Sequence, residues 1–175
     1  MLRIRRILHA TDFSPASRPA FARAVGLARG NRAELIVLHV VTPPIPYTPD
    51  GYALPQTYDR LLTDMRAAAQ KQVDRLVARA KAGGARARSL LLEGSPHERI
   101  TRAARSTRAD LIVIGTHGRT GLARLFLGSV AGRVIATAGC PVLSVRAGAR
   151  PAAGDGARSR APRARRRATT GPARD

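Results

Sequence analysis

The sequence predicts an open five-stranded parallel α/β sheet with helices on both faces. Three observations lead there. Five short runs are rich in Val, Ile and Leu, helical patterns separate them, and most of the connections are short. Strict β-α alternation of this kind builds a parallel sheet through right-handed crossovers. At 175 residues the chain is long enough for one domain with a core and too short for two comfortable ones.

Residues 5–10 read as a first buried strand, ended by the polar turn Thr11-Asp12-Phe13-Ser14. Ser14 before Pro15 is a helix start, with proline where its missing N–H costs nothing. Phe21, Val25 and Leu27 with Ala28 then recur at helical spacing, and Gly30 is the expected stop. Residues 33–41 form a continuous apolar run, the pattern of a strand covered on both faces. Five prolines and no periodicity make 42–56 a long loop. From Tyr58 to Lys81 a stripe of Leu61, Met65, Ala68, Gln72, Val73, Leu76 and Ala80 predicts one amphipathic helix, closed by Gly83-Gly84.

A third strand spans 86–92. In Ser95-Pro96-His97-Glu98 the cap-then-proline signal returns, with Glu98 placed to complete a capping box. The helix runs to about Thr107. Residues 110–114 are a fourth buried strand, a glycine-rich loop follows, a helix spans 129–137, and 141–146 form the last strand. Beyond residue 147 there is no Leu, Ile, Val or Phe. The domain is therefore expected over 1–147, with 148–175 a disordered basic tail.

Composition narrows the function classes. No apolar run approaches the ~18 residues of a membrane-spanning helix. The basic-then-apolar start breaks at His9-Ala-Thr-Asp12, short of a signal peptide, so a cytoplasmic protein is expected. Cys140 is the single cysteine, which excludes an intrachain disulfide and a multi-cysteine metal site. The net charge is +20, of which residues 1–147 carry 23 basic against 9 acidic side chains. Such charge attracts polyanions, and nearly all of it is arginine, which a compositional bias would also give. Tryptophan is absent and aromatics are 3%, so stacking platforms for single strands are missing. Nucleic-acid binding is permitted by the charge and supported by no motif.

The chemistry-bearing stretch runs from Gly115 to Val130, leaving the carboxyl end of a buried strand and reaching a helix start. Ligands of open α/β sheets settle at such strand ends. Glycines let backbone N–H groups approach an anion, and a helix beginning at Ser129 presents free N–H groups and a positive dipole end. The loop is a phosphate cradle in its chemistry. It lacks the Gly-Lys-Ser/Thr of a Walker A loop and the Gly-x-Gly-x-x-Gly dinucleotide fingerprint. No catalytic constellation and no metal-ligand cluster is visible: Asp12 can cap its own turn, and His117 has no acidic partner nearby. His9 and His39 are expected in structural roles, and His97 on the surface.

Gly115-x2-Gly118-x9-Gly128-Ser129 resembles the G-x2-G-x9-G-[S/T] signature of ATP-binding universal stress proteins. Thr11-Asp12-Phe13-Ser14, Leu38-His39-Val40, Gly94-x-Pro96 and Cys140-Pro-Val-Leu are similar to further family segments, so the resemblance covers 1–147. It implies a Rossmann-like fold of the adenine nucleotide alpha hydrolase type with strand order 3-2-1-4-5, and a nucleotide-dependent stress-response protein. The implied pose sets adenine against the backbone of Ala10 and Val40, with Thr11 and Asp12 beside it and Asp12 near the ribose or a phosphate-bound Mg2+. Ile114 and Gly115 would approach the ribose, Thr116, His117, Gly118, Arg119, Thr120 and Gly121 would wrap the phosphates, and Gly128, Ser129 and Val130 would close the site. The resemblance also implies a homodimer through the last strand, 142–146. Slow ATP hydrolysis or phosphoryl or nucleotidyl transfer is the competing expectation, and polyanion binding through the basic surface and tail a second.

Overall fold

The computed structural model describes residues 3–45, 47–48, 51–52, 55–116 and 128–146, with backbone only at 47–48 and 51–52. Five parallel strands form the main sheet: β1 (Arg6–Ala10), β2 (Glu34–Val41), β3 (Arg86–Glu93), β4 (Leu111–Gly115) and β5 (Val142–Val145). Their spatial order is β3-β2-β1-β4-β5, the predicted 3-2-1-4-5. Ile7 pairs with both Leu35 and Leu111, and Ala10 with both Leu38 and Ile114, so the central strands run in step.

Helices α1 (Arg18–Asn31) and α2 (Pro55–Ala82) cover one face, and α3 (Pro96–Ser106) and α4 (Ser129–Thr137) the other. The period-two alternation of a strand divides the core accordingly. Ile7, Leu35, Val37 and Val113 pack against Phe21 of α1 and Val73 and Val77 of α2. Leu8, Ile36, Leu38 and Ile112 pack against Ile100 of α3 and Val134 of α4. Both sides of β1, β2 and β4 are buried, which is why those segments read as unbroken apolar runs.

Several local expectations are corrected. Ser14-Pro15 opens a 3-10 turn, Pro15–Ser17, and α1 begins only at Arg18. Gly30 lies inside α1, and the left-handed closing residue is Arg32, at φ 52°. The 42–56 segment contains a two-stranded antiparallel hairpin, Tyr47–Thr48 with Gly51–Tyr52, and α2 already starts at Pro55. The capping box does not form: Ser95 makes no side-chain cap bond and its Oγ meets His97 Nδ1 at 3.0 Å. His97 is half-buried rather than exposed. Gly94 before it sits at φ +118°, a conformation that favours glycine, and a Cβ there would stand 3.0 Å from Arg99 Nε.

The stripe of α2 divides along its length. At 28 residues α2 is about 42 Å long, whereas the eight residues of β2 span about 26 Å. Val73, Val77 and Ala80 reach the sheet, but the first turns overhang its carboxyl end and Leu61 stays 46% exposed. Arg66 forms a two-pronged ion pair with Glu93 at the end of β3, fastening the overhang. The hydrogen bond holds the Glu93 carboxyl below its ordinary range. Tyr58 adds a second tie, its hydroxyl donating to Pro44 O at 2.9 Å.

Candidate functional site

The strand order reverses between β1 and β4: the chain winds outward from β1 to β3, then returns to β4 and β5. Connections there diverge to opposite faces and leave a crevice beyond the strand ends. A cleft of about 510 Å³ occupies that position. Ten predicted residues line it together: Ala10, Thr11 and Asp12 after β1, Val40 in β2, Ile114, Gly115 and Thr116 at the end of β4, and Gly128, Ser129 and Val130 at the start of α4. They come from four places in the chain, and the parallel sheet brings them to one end. His117, Gly118, Arg119, Thr120 and Gly121 lie outside the described residues, as does the 148–175 tail.

The corner after β1 is held by a chain of hydrogen bonds whose direction can be worked out. Ser17 Oγ donates to Ser14 O at 2.8 Å, so Thr11 Oγ1 donates to Ser17 Oγ at 3.1 Å and itself accepts from Phe13 N at 3.0 Å. Thr11 N is tied to Leu38 O at 2.9 Å. Asp12 Oδ1 accepts from Ser14 N at 3.0 Å and Ser14 Oγ at 2.7 Å. Asp12 thus does brace its own turn, as the short polar side chains of turns do. Phe13 sits at φ 63°, a left-handed conformation rare for a bulky residue and costing on the order of 1–3 kcal/mol.

His39, at the end of β2, supports that strained corner. A carbonyl only accepts, so His39 Nδ1 carries the proton it donates to Thr11 O, at 2.7 Å. Its ring lies 4.2 Å from the Phe13 ring, tilted by 31°. Both rings line the cleft, and sequence reading had not placed either there. Met65, Ala68, Ala69 and Gln72 form the α2 wall and were also missed. Their spacing was visible, but as a core stripe; only the overhang of α2 turns its first half toward the cleft.

Opposite that corner, Gly128 N donates to Thr116 O at 2.7 Å, so the described residues on either side of 117–127 stand side by side. Thr116 N donates to Val145 O at 3.0 Å, tying the same point to β5. Gly128 is the N-cap of α4, at φ −56° and ψ 146°, a conformation open to any residue. The first turn of α4 carries no acidic residue, so its dipole end faces the cleft uncompensated by its own helix.

The other candidates lie elsewhere. His9 is fully buried on the α1 face, its Nδ1–H donating to Val113 O at 3.0 Å and its ring 5.7 Å from Phe21. Cys140 is half-buried against the α3–α4 core, and desolvation first, then the charge of Asp110, pushes its thiol up. Among the described residues no group of three His, Cys, Asp or Glu side chains converges, and no helix is long and apolar enough to cross a membrane.

Comparison with known proteins agrees with this architecture. A model of the universal stress protein family matches residues 3–146. A universal stress protein of Methanocaldococcus jannaschii is 37% identical over 144 residues, covering 81% of this chain and 82% of its own. The solved structure of universal stress protein UspA from Lactobacillus plantarum superposes with a TM-score of 0.73 at 29% identity, over 82% of this chain and 99% of that one. A universal stress protein crystallised in complex with cAMP superposes with a TM-score of 0.63 at 25% identity, over 83% and 98%. With the family signature spread over the sheet ends that build its cleft, this chain belongs to the universal stress protein family.

Proposed function

We propose that this protein binds an adenine nucleotide, ATP foremost, in the cleft beyond β1 and β4 and acts as a cytoplasmic regulatory protein whose output depends on occupancy. The observation that carries the reading is the convergence of Ala10–Asp12, Val40, Ile114–Thr116 and Gly128–Val130 on one cleft. The cAMP complex of a related structure supports the adenine class. Adenine rests on the apolar wall of Ala10, Val40 and Met65, and the phosphates face the N–H groups of Gly128, Ser129 and Val130. Residues 117–121 wrap the phosphates, and residues 1–147 form the binding domain. Asp12, the carboxylate among the described residues lining the cleft, would hold a Mg2+ ion brought by the phosphates, which would complete its shell with water.

Binding without rapid turnover fits the residues best. The titratable groups lining the cleft among the described residues are Asp12 and His39. Both hold the β1 corner, Asp12 through Ser14 and His39 through Thr11 O. Hydrolysis needs a base free to position water and charge to neutralise the transferring group. Denaturing the purified protein and chromatographing what it releases, then titrating the emptied protein with ATP, tests the proposal. Released ATP, or binding near micromolar (about −8 kcal/mol), is expected. Absence of both overturns it, and turnover abolished by Asp12→Ala moves the reading to an ATPase.

The last strand supplies the proposed dimer. Pro141 O and Val145 O accept from Ile112 N and Thr116 N, so the alternation of a parallel ladder turns the peptide groups of Val142 and Ser144 to the open edge. Unpaired edges invite pairing with a second copy. Ser144→Pro removes one outward N–H and is expected to shift the size-exclusion profile from dimer to monomer with ATP binding retained. An unchanged dimer would place the interface elsewhere.

A further inference from the structure

The end of the sheet opposite the cleft carries a separate feature. All five strands start there, and arginine begins or closely precedes four of them, β1 to β4. Arg3, Arg5, Arg29, Arg32, Arg86 and Arg108 are exposed, and none has a carboxylate within ion-pair distance among the described residues. Two carboxylates stand at this end and both are engaged. Glu34 pairs with Arg88 at 3.0 Å, and Asp110 accepts the backbone N–H groups of Arg5 and Arg6 at 2.7 and 2.9 Å. A depression of about 440 Å³ lies among Arg29, Arg32, Gly84 and Arg86. Arg86 Nη2 donates to Arg32 O at 2.9 Å, which sets these two arginines beside one another.

Partial negative charge at helix carboxyl ends attracts single cations. That accounts for Arg29 in the last turn of α1, but not for Arg3, Arg5 or Arg86, which precede or begin strands. Backbone conformation supplies an independent observation. Arg32 and Arg108 close the turns after α1 and α3 at φ 52° and 51°, positions where glycine is cheapest. The equivalent turn after α2 uses glycine, Gly84 at φ +82°. At two of three such turns the chain therefore bears backbone strain and presents a guanidinium at this surface.

We propose that this surface docks the phosphate backbone of duplex nucleic acid, without reading sequence and independently of the nucleotide cleft. The cations are spread across β3, β2, β1 and β4 rather than converging on a point. Three strand spacings make that width about 15 Å, close to the ~12 Å of a major groove. The described aromatic side chains Phe13, Phe21 and Tyr58 all lie away from this end, so base stacking, the mode of single-strand binders, has no platform here. The cleft at the other end stays open while the duplex is bound.

The test uses the full chain and a fluorescent duplex of about 20 base pairs of mixed sequence, followed by anisotropy across a salt series. Arg32→Gly/Arg108→Gly is expected to weaken duplex binding several-fold while its thermal midpoint stays level or rises, because glycine relieves both left-handed turns. Adding Arg29→Gln and Arg86→Gln is expected to lower affinity at least about tenfold at ~0.1 M salt and reduce the log–log salt slope by up to about 3.6. A control removing Arg18, Arg75, Arg102 and Arg133 takes away equal charge from other surfaces and is expected to change far less. A thermal melt reports that each variant is folded. Equal losses in control and test variants would assign binding to net charge and overturn the proposal. So would unchanged affinity in the fourfold variant, or displacement of the duplex by stoichiometric inorganic triphosphate at matched ionic strength, which would make the depression a small-anion site.

Discussion

Gly128→Val is expected to lower ATP affinity by at least about 100-fold, a loss of about 2.7 kcal/mol, while the fold survives. Gly128 has φ −56° and ψ 146°, so a side chain is not excluded by the backbone. Its N–H bond to Thr116 O at 2.7 Å is a main-chain contact that valine keeps. Valine is a poorer N-cap than glycine, which costs about 1 kcal/mol of helix stability. The large remaining effect is expected from filling the space where the proposed pose brings the phosphates to the first turn of α4. Calorimetry beside a thermal melt separates the two, with Gly128→Ala expected in between. Normal affinity in Gly128→Val would mean the nucleotide does not lie against α4. A collapsed melt would mean the position is structural.

The second large effect is on stability, between pH 6.5 and 4. Burial lowers the His9 imidazole from 6.5 to about 4, against smaller opposing contributions from the Val113 hydrogen bond and the charge of Asp12. Below pH 6.5 the unfolded chain takes up a proton that the native state refuses. Native stability therefore falls as pH drops through this window and levels off below about 4. The linkage amounts to about 3 kcal/mol at pH 4. Asp110 acts in a different range: backbone N–H groups of Arg5 and Arg6 hold its carboxyl low, so its contribution is lost only below the ordinary carboxylate range of about 3.8. Urea unfolding at pH 7, 5.5 and 4.5 isolates the histidine. His9→Leu is expected to flatten the profile. It should cost little at pH 7, because His9 Nε2 is buried with no hydrogen-bond partner among the described residues and leucine removes that orphan. Parallel profiles for parent and variant would place the acid sensitivity elsewhere.

The sheet was legible because its central strands are buried on both faces. Ile7-Leu8, Leu35 to Leu38 and Leu111 to Ile114 leave no polar side to alternate with, and the helices between them leave no other class of sheet. Half of the cleft was legible for a related reason. Backbone N–H groups and glycines at a strand-to-helix connection bind anions through main-chain geometry, which sequence order records directly. The capping box was not, since Ser95 had His97 as an alternative partner and local hydrogen bonds compete with caps. The C-terminal end of α1 was missed for want of a rule that puts arginine in a left-handed closing turn.

By itself, then, the sequence determined the alternation of elements, the burial of the central strands and the positions of the strand-end and helix-start backbone that lines the cleft, all of which are encoded within short windows. The tertiary structure alone decided how long α2 is relative to the sheet, and so that Met65 and Gln72 face the cleft instead of the core. It also decided that His39 braces Phe13 and Thr11, across 28 residues of chain in the case of Thr11. And it gathered arginines from three connections and the segment before β1 at one end of the sheet. These outcomes depend on relative lengths and on which strand ends share a side. Those are properties of assembled elements, and no local pattern of side chains carries them.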